Sequence, residues 1–205
     1  MPWLDNTLFV PMILLFLTGS ALALLKPNPK SMVILAAQYI STSWLAFTSL
    51  PAAGVAAKLI TGFLVCVILY LGIRQIGNDP LPMDDEVLSA NLSFRVIALL
   101  LVTVASVSVA GSNLFAQFEI SMEANVGASF LIASSLLNLG LGTDPLRSGI
   151  GLLTLISGGE LIYSFIEPSL ALIALLAMVH LGIVLAINYI ISIRIRHGNP
   201  EIFNP

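Results

Sequence analysis

The chain has 205 residues, 58% of them hydrophobic and only 9% charged, with a net charge of −3. A soluble domain carries about 25% charged residues, so this balance describes an all-α integral membrane protein and makes a nucleic-acid partner a poor fit. Cys66 is the single cysteine, which excludes an internal disulfide. The sequence has no CxxC, HExxH, Cys/His cluster or Gly-rich phosphate loop, so nothing in it supports a bound iron–sulfur, haem, zinc or nucleotide cofactor.

Runs of about 20 apolar residues match the hydrocarbon thickness of a bilayer. Seven such spans are predicted, at 8–25, 32–50, 53–74, 94–115, 124–142, 146–166 and 169–193. The first resembles a signal peptide in that "ALA" at 21–23 looks like a cleavage site. Asp5 precedes it and Lys26 and Lys30 follow it, the reverse of a signal peptide's charge order, so the mature protein is expected to keep it. Pro11 falls in the first turn of this predicted span, where proline is tolerated. The second span carries Gln38, Tyr39, Ser41, Thr42 and Ser43, and Pro51 separates it from the third, which holds Lys58 and Cys66. Cys66 reads as a lipid-facing or packing residue.

The stretch "QIGNDPLPMDDEVLSAN" is the one long loop, acidic at Asp84, Asp85 and Glu86. Its Pro and Asp content reads as a solvated cytoplasmic linker at 76–93, or as a docking segment for a peripheral partner. It divides a three-helix portion, 1–75, from a four-helix portion, 94–205. "NLGLGTDP" at the end of the fifth span is a weak echo of a dinucleotide motif without the strand such a motif needs. The sixth span contains Gly149, Gly151, Gly158 and Gly159, which leave grooves for a neighbouring helix, together with Glu160 and Tyr163. A turn at Glu167 and Pro168 leads to the last span, with His180, Asn188 and Tyr189.

The cations test the count of spans independently. Lys26, Lys30, Arg74, Arg95, Arg147, Arg194 and Arg196 fall at one set of span ends, and the opposite set has no Lys or Arg. The positive-inside rule then gives an N-out, C-in orientation.

Glu160, His180 and Lys58 are the ionisable groups inside spans, where a charge costs about 2.5 to 3.5 kcal/mol at the helix centre on insertion scales. Such groups face protein or water and are functional candidates. Glu160 lies about 16 Å into its span when counted from Gly149 at 1.5 Å per residue, and His180 sits at a similar depth on the next, antiparallel span. A carboxyl and an imidazole at one depth have the chemistry of a proton relay; a hydrogen-bonded pair that only fixes helix packing is the alternative. Tyr163, Asn188 and Tyr189 extend a polar path from them. Lys58, about five residues from its boundary, either snorkels outward or faces inward, where Gln38 and Tyr39 are its natural partners.

The last three spans, from "ANVGASFLIASSLLNLGLGTDPLRSGIGLLTLISGGELIYSF" through "ALIALLAMVHLGIVLAINYIISIRIRHGNPEIFNP", resemble the three-helix subunit K of respiratory complex I. With "AAQYIS", "AAKLITGFLVCVILYLGIRQI" and the long linker, the whole chain resembles the E family of membrane components found in hydrogenase-four and formate-hydrogenlyase complexes. The resemblance implies a non-catalytic subunit of a proton-translocating redox complex in a prokaryotic cytoplasmic (inner) membrane. Its implied partners are antiporter-like subunits, a protein like the H component of complex I, and a peripheral redox module. It matches Glu160 to the glutamate of the second subunit K helix. His180 falls where the third helix of subunit K has its own glutamate, a departure that replaces an acidic pair by an acid and an imidazole. Lys58 and Gln38 correspond to polar positions of the early helices.

Two other classes compete with this reading. One is a structural or assembly subunit in which Glu160 and His180 lock helices. The other is an autonomous small-solute or cation transporter, against which stand the lack of an evident internal repeat, an odd number of spans and the absence of a broken helix.

Overall fold

The computed structural model describes residues 2–25, 31–75, 92–112, 120–141 and 144–198. Within them the chain forms seven helices and no strand: α1 (Pro2–Leu24), α2 (Ser31–Ala46), α3 (Ala52–Gln75), α4 (Leu92–Ala110), α5 (Met122–Leu141), α6 (Pro145–Ile166) and α7 (Leu170–Gly198). All but α2 are long and apolar enough to cross a membrane. An all-helical build is what lipid demands, because every backbone N–H and C=O must then find a partner within its own segment. The acidic residues of the predicted linker, Asp84, Asp85 and Glu86, and the cations Lys26 and Lys30 lie outside the described residues.

Several helix limits differ from the apolar runs. α1 begins at Pro2, so Pro11 is an interior proline rather than a first-turn one; helix ends follow hydrogen bonding and not the edge of the apolar stretch. α2 stops at Ala46, short of the predicted 50, because Ser49 and Leu50 both donate their N–H groups to the Ala46 carbonyl and turn the chain before Pro51. α4 ends at Ala110 rather than 115, with Asn125 Nδ2 of α5 donating to the Ala110 carbonyl at 3.2 Å. α6 begins at Pro145, behind an Asp144 cap whose side chain accepts from the Leu146 N–H; proline at the first helical position costs no hydrogen bond. Glu160 is therefore 15 residues from the start of α6 and about 9 Å from its end, some way past the middle of the helix on the side of the α6–α7 turn.

The helices pack as two three-helix layers, α1–α2–α3 and α5–α6–α7, with α1 against α5, α2 against α6 and α3 against α7. Each facing pair runs parallel. Gly19 meets Phe130 and Gly127 meets Leu15 between α1 and α5; Gln38 of α2 meets Thr154 of α6, and Ser49, in the turn just after α2, meets Ser164 of α6; Gly54 meets Ile173 and Gly72 meets Asn188 between α3 and α7. A layer of three spans ends on the side opposite its start, so one more span is needed before a second layer can repeat the same direction. α4 supplies it and packs outside, on α5 and α1. The sequence showed no internal repeat; the structure has a three-plus-one-plus-three order whose equivalence lies in packing rather than in residue identity.

The core has three parts. Leu35, Tyr39, Cys66, Leu69, Leu153 and Val184 belong to a cluster between α2, α3, α6 and α7. Leu15, Leu45, Leu131 and Leu161 belong to a second, and Ala23, Leu99 and Phe130 join α4 to α1 and α5. Cys66 is buried and packs in the first cluster, so of its two readings the packing one holds. Of the four α6 glycines, Gly149 faces Ile187, Gly151 faces Asn138 and Leu139, and Gly158 faces Leu131 and Ile132, while Gly159 faces open space.

Candidate functional site

On α6 the buried polar residues Arg147, Thr154, Ser157, Glu160 and Ser164 follow one another at intervals of seven, three, three and four. Those intervals place them along one stripe of a helix with 3.6 residues per turn. The stripe meets a different helix at each level. Arg147 Nη2 donates to the Ala23 carbonyl at 2.6 Å, and to Asn138 Oδ1 at 3.5 Å, so a cation sits where the C-terminal end of α1 is most negative. Thr154 Oγ1 accepts from Gln38 Nε2 at 3.2 Å, Ser157 contacts His180, Glu160 meets Lys58, and Ser164 pairs with Ser49 at 3.1 Å.

The ionisable groups form one cluster. Lys58 Nζ lies 3.0 Å from Glu160 Oε2, and the two side chains are 1% and 6% exposed. α3 packs on α2 and α7 rather than on α6, so the lysine side chain crosses from one layer to the other to reach the carboxylate. At 3.0 Å and an effective dielectric near 20 the attraction is about 5 kcal/mol. Desolvation costs several kcal/mol for each ion, so the pair adds little net stability. Removing one partner, by contrast, strands a buried charge.

His180 is 1% exposed. Its Nδ1 lies 2.9 Å from the Leu176 carbonyl oxygen, its Nε2 3.4 Å from Ser157 Oγ, and its ring meets Tyr39 edge-on at 5.8 Å between centroids. The Tyr39 hydroxyl is buried and forms no hydrogen bond among the described residues. Tyr39 can approach because Gly62 on α3 has no side chain: a Cβ there would lie 2.5 Å from Tyr39 Cγ. Tyr39, Lys58, Thr61, Glu160, Ile173, Ala177 and His180 line a cavity of about 10 Å³, which is room for one water.

The structure thus brings Lys58, Glu160, His180 and Tyr39 to one cavity. Lys58 faces inward, and its partner is Glu160 rather than Gln38 or Tyr39. Gln38 is buried one level away, on Thr154. Asn188 is bound elsewhere, donating to the Ile68 carbonyl at 3.0 Å and so tying α7 to α3. Tyr163 and Tyr189 are on exposed faces. Sequence reading missed Ser157, Thr61 and the buried Arg147–Asn138 pair. Spacing held the signal for the first two, since Ser157 precedes Glu160 by three residues and Thr61 follows Lys58 by three, which puts each on the face of its charged neighbour.

Chemically, the site offers one carboxylate, one ammonium, one imidazole and hydroxyls around space for a single water, which is equipment for holding and passing protons. Among the described residues no three His, Cys, Asp or Glu side chains converge as metal ligands. No protein-family model matches the chain, and neither a curated protein nor a solved structure is significantly similar to it.

Proposed function

We propose that the chain is a non-catalytic membrane subunit of a proton-translocating redox complex related to hydrogenase-four or complex I, in which Glu160, Lys58 and His180 form part of an intramembrane proton path. The observation that carries this reading is the Lys58–Glu160 ion pair, 1% and 6% exposed, sharing a water-sized cavity with His180 inside a bundle of apolar helices. Groups so costly to place in a bilayer are by default part of an ion or proton pathway, and the resemblance to the hydrogenase-four E family and to subunit K points the same way. Redox chemistry belongs to a peripheral module, and the membrane partners are antiporter-like subunits and a protein like the H component of complex I. The orientation is N-out and C-in in a prokaryotic inner membrane: Arg74, Arg95 and Arg147 belong to helix ends on one side of the bundle, and the positive-inside rule puts that side in the cytoplasm.

The test is proton pumping by the native complex in inverted vesicles, together with the identity of the proteins that co-purify. Glu160→Gln and His180→Gln are expected to lower pumping per assembled complex, the first with some loss of yield as well because it strands the Lys58 charge. Full pumping in both variants would remove the proton-path reading.

A specific observation also favours the structural reading. The ion pair joins the two three-helix layers, and Arg147 and Gln38 join them at other levels. In that case the same variants lower the yield of complex and not its pumping. The transporter reading loses ground on geometry. A two-fold axis along the membrane normal, as in parallel-repeat transporters, would set α1 against α7, whereas here α1 faces α5.

A further inference from the structure

His180 stands where α7 meets α2, α3 and α6, and its two nitrogens have different surroundings. Nδ1 lies 2.9 Å from the Leu176 carbonyl oxygen, one turn earlier on the same helix. A carbonyl oxygen only accepts, so Nδ1 carries a hydrogen in the neutral ring as well as in the charged one. Nε2 is then the nitrogen at which a proton comes and goes. It lies 3.4 Å from Ser157 Oγ, and the ring borders the cavity shared with Glu160 and Lys58. The titratable groups facing it are Tyr39 from α2, Lys58 from α3 and Glu160 from α6; Cys66, also on α3, lies by Tyr39.

We propose that His180 is a proton carrier that works through Nε2 alone, and that Ser157 is its positioning residue, the hydroxyl that holds this port in both protonation states. The proposal rests on the proton-path reading and deepens it. In the neutral ring the Ser157 hydroxyl donates to the Nε2 lone pair. For uptake the serine hydroxyl first turns and frees that lone pair; a proton arriving on a water in the cavity then passes to Nε2, a water O–H bond breaking as an N–H bond forms, and the serine oxygen accepts from the new Nε2–H. The charged ring is repelled by Lys58 and attracted by the Glu160 carboxylate. On release the N–H bond breaks, the water takes that proton, and another of its O–H bonds breaks as the Glu160 carboxyl O–H forms. A glutamate could hold a proton on either oxygen. Here the Leu176 carbonyl closes one nitrogen and so leaves the carrier a single site of exchange.

The proposal is tested by nitrogen NMR of the full chain labelled with 15N-histidine in lipid nanodiscs. His197→Asn removes the other histidine, so every imidazole signal reports His180. The neutral ring is expected to show a protonated Nδ1 and an unprotonated Nε2, and a neutral ring protonated at Nε2 overturns the proposal. In Ser157→Ala the Nε2 resonance is expected to move, as its hydrogen bond is lost, while that of Nδ1 stays; an unmoved Nε2 resonance overturns the role of Ser157. Pumping by the native complex should fall several-fold in Ser157→Ala and be largely restored by Ser157→Thr, which keeps a hydroxyl. Equal losses in the two variants would leave Ser157 as packing only. If Glu160→Gln pumps normally, the carrier role falls together with the proton-path reading even where the tautomer is as expected. If Glu160→Gln is inactive but the neutral ring is protonated at Nε2, this proposal fails alone.

Discussion

α4 and α6 are of similar length, 19 and 22 residues, yet they are built on opposite plans. α4 is the more hydropathic and the less buried, with Leu100 and Leu101 61% and 67% exposed. α6 is less hydropathic and packs a polar stripe and Gly149, Gly151 and Gly158 into the bundle. In water the apolar helix is the buried one. In a bilayer the lipid tails are as apolar as leucine, so burial is selected by close approach and by polar groups that need partners. Hydropathy therefore marks the outside of this protein, and small and polar residues mark its inside.

The sharpest way to break that comparison is at the ion pair. Lys58→Ala or Glu160→Ala leaves one buried charge unmatched and is expected to cost about 3–5 kcal/mol of unfolding free energy in detergent titrations. Lys58→Met combined with Glu160→Leu removes both charges and is expected to cost less than either single change. If the double variant lost as much as the two singles added together, the cycle would show no coupling between Lys58 and Glu160, and their contact would not be what ties α3 to α6.

Phe130 and Leu101 carry the contrast into apolar residues. Phe130 of α5 is fully buried, stacked on Phe16 at a centroid distance of 4.2 Å and seated against Gly19. Phe130→Ala is expected to cost about 3–5 kcal/mol, whereas Leu101→Ala on the lipid face of α4 should stay within about 0.5 kcal/mol. Thermal unfolding of the two variants in the same lipid nanodiscs reads the difference directly.

A smaller contrast sits on neighbouring residues of α6. A Cβ at Gly158 would lie 2.9 Å from Ile132 Cγ1 and 3.1 Å from the Ala128 carbonyl oxygen, while one at Gly159 would meet nothing within 4 Å. Gly158→Ala must push α5 and α6 apart and is expected to lose about 1–3 kcal/mol. Gly159→Ala is expected to lose nothing, because no atom of the chain lies within 4 Å of such a Cβ, and alanine is the better helix former by about 1 kcal/mol.

These contrasts also show what the sequence could and could not carry. The helices were legible because a bilayer imposes one length and because prolines punctuate the runs. The start of α1 and the end of α2 were not, since a helix runs as far as its backbone bonds allow and the apolar edge does not stop it. The nearness of Glu160 and His180 followed from the turn at Glu167 and Pro168. The pairing of Lys58 with Glu160 did not follow from anything local. It depends on how one layer stacks on the other across about 100 residues of chain, and a charge counted along a span has no record of that. The four α6 glycines looked alike in the sequence, and three of them proved to be packing positions while Gly159 faced outward.

The smallest expected effect is at Gln38. Its Nε2 donates to Thr154 Oγ1, but its Oε1 is buried without a partner. The one bond made is worth about 0.6 kcal/mol for a typical interhelical pair in a membrane, and an unsatisfied buried carbonyl costs about 1–3 kcal/mol. Gln38→Leu, which keeps the volume and removes both atoms, is therefore expected to be neutral or slightly stabilising. A double-mutant cycle with Thr154→Val should return a coupling of about 0.6 kcal/mol. A coupling several times larger, or a marked loss in Gln38→Leu alone, would show that the amide oxygen has a partner in the membrane, and that the polar stripe of α6 extends its hydrogen bonding into α2 at this level.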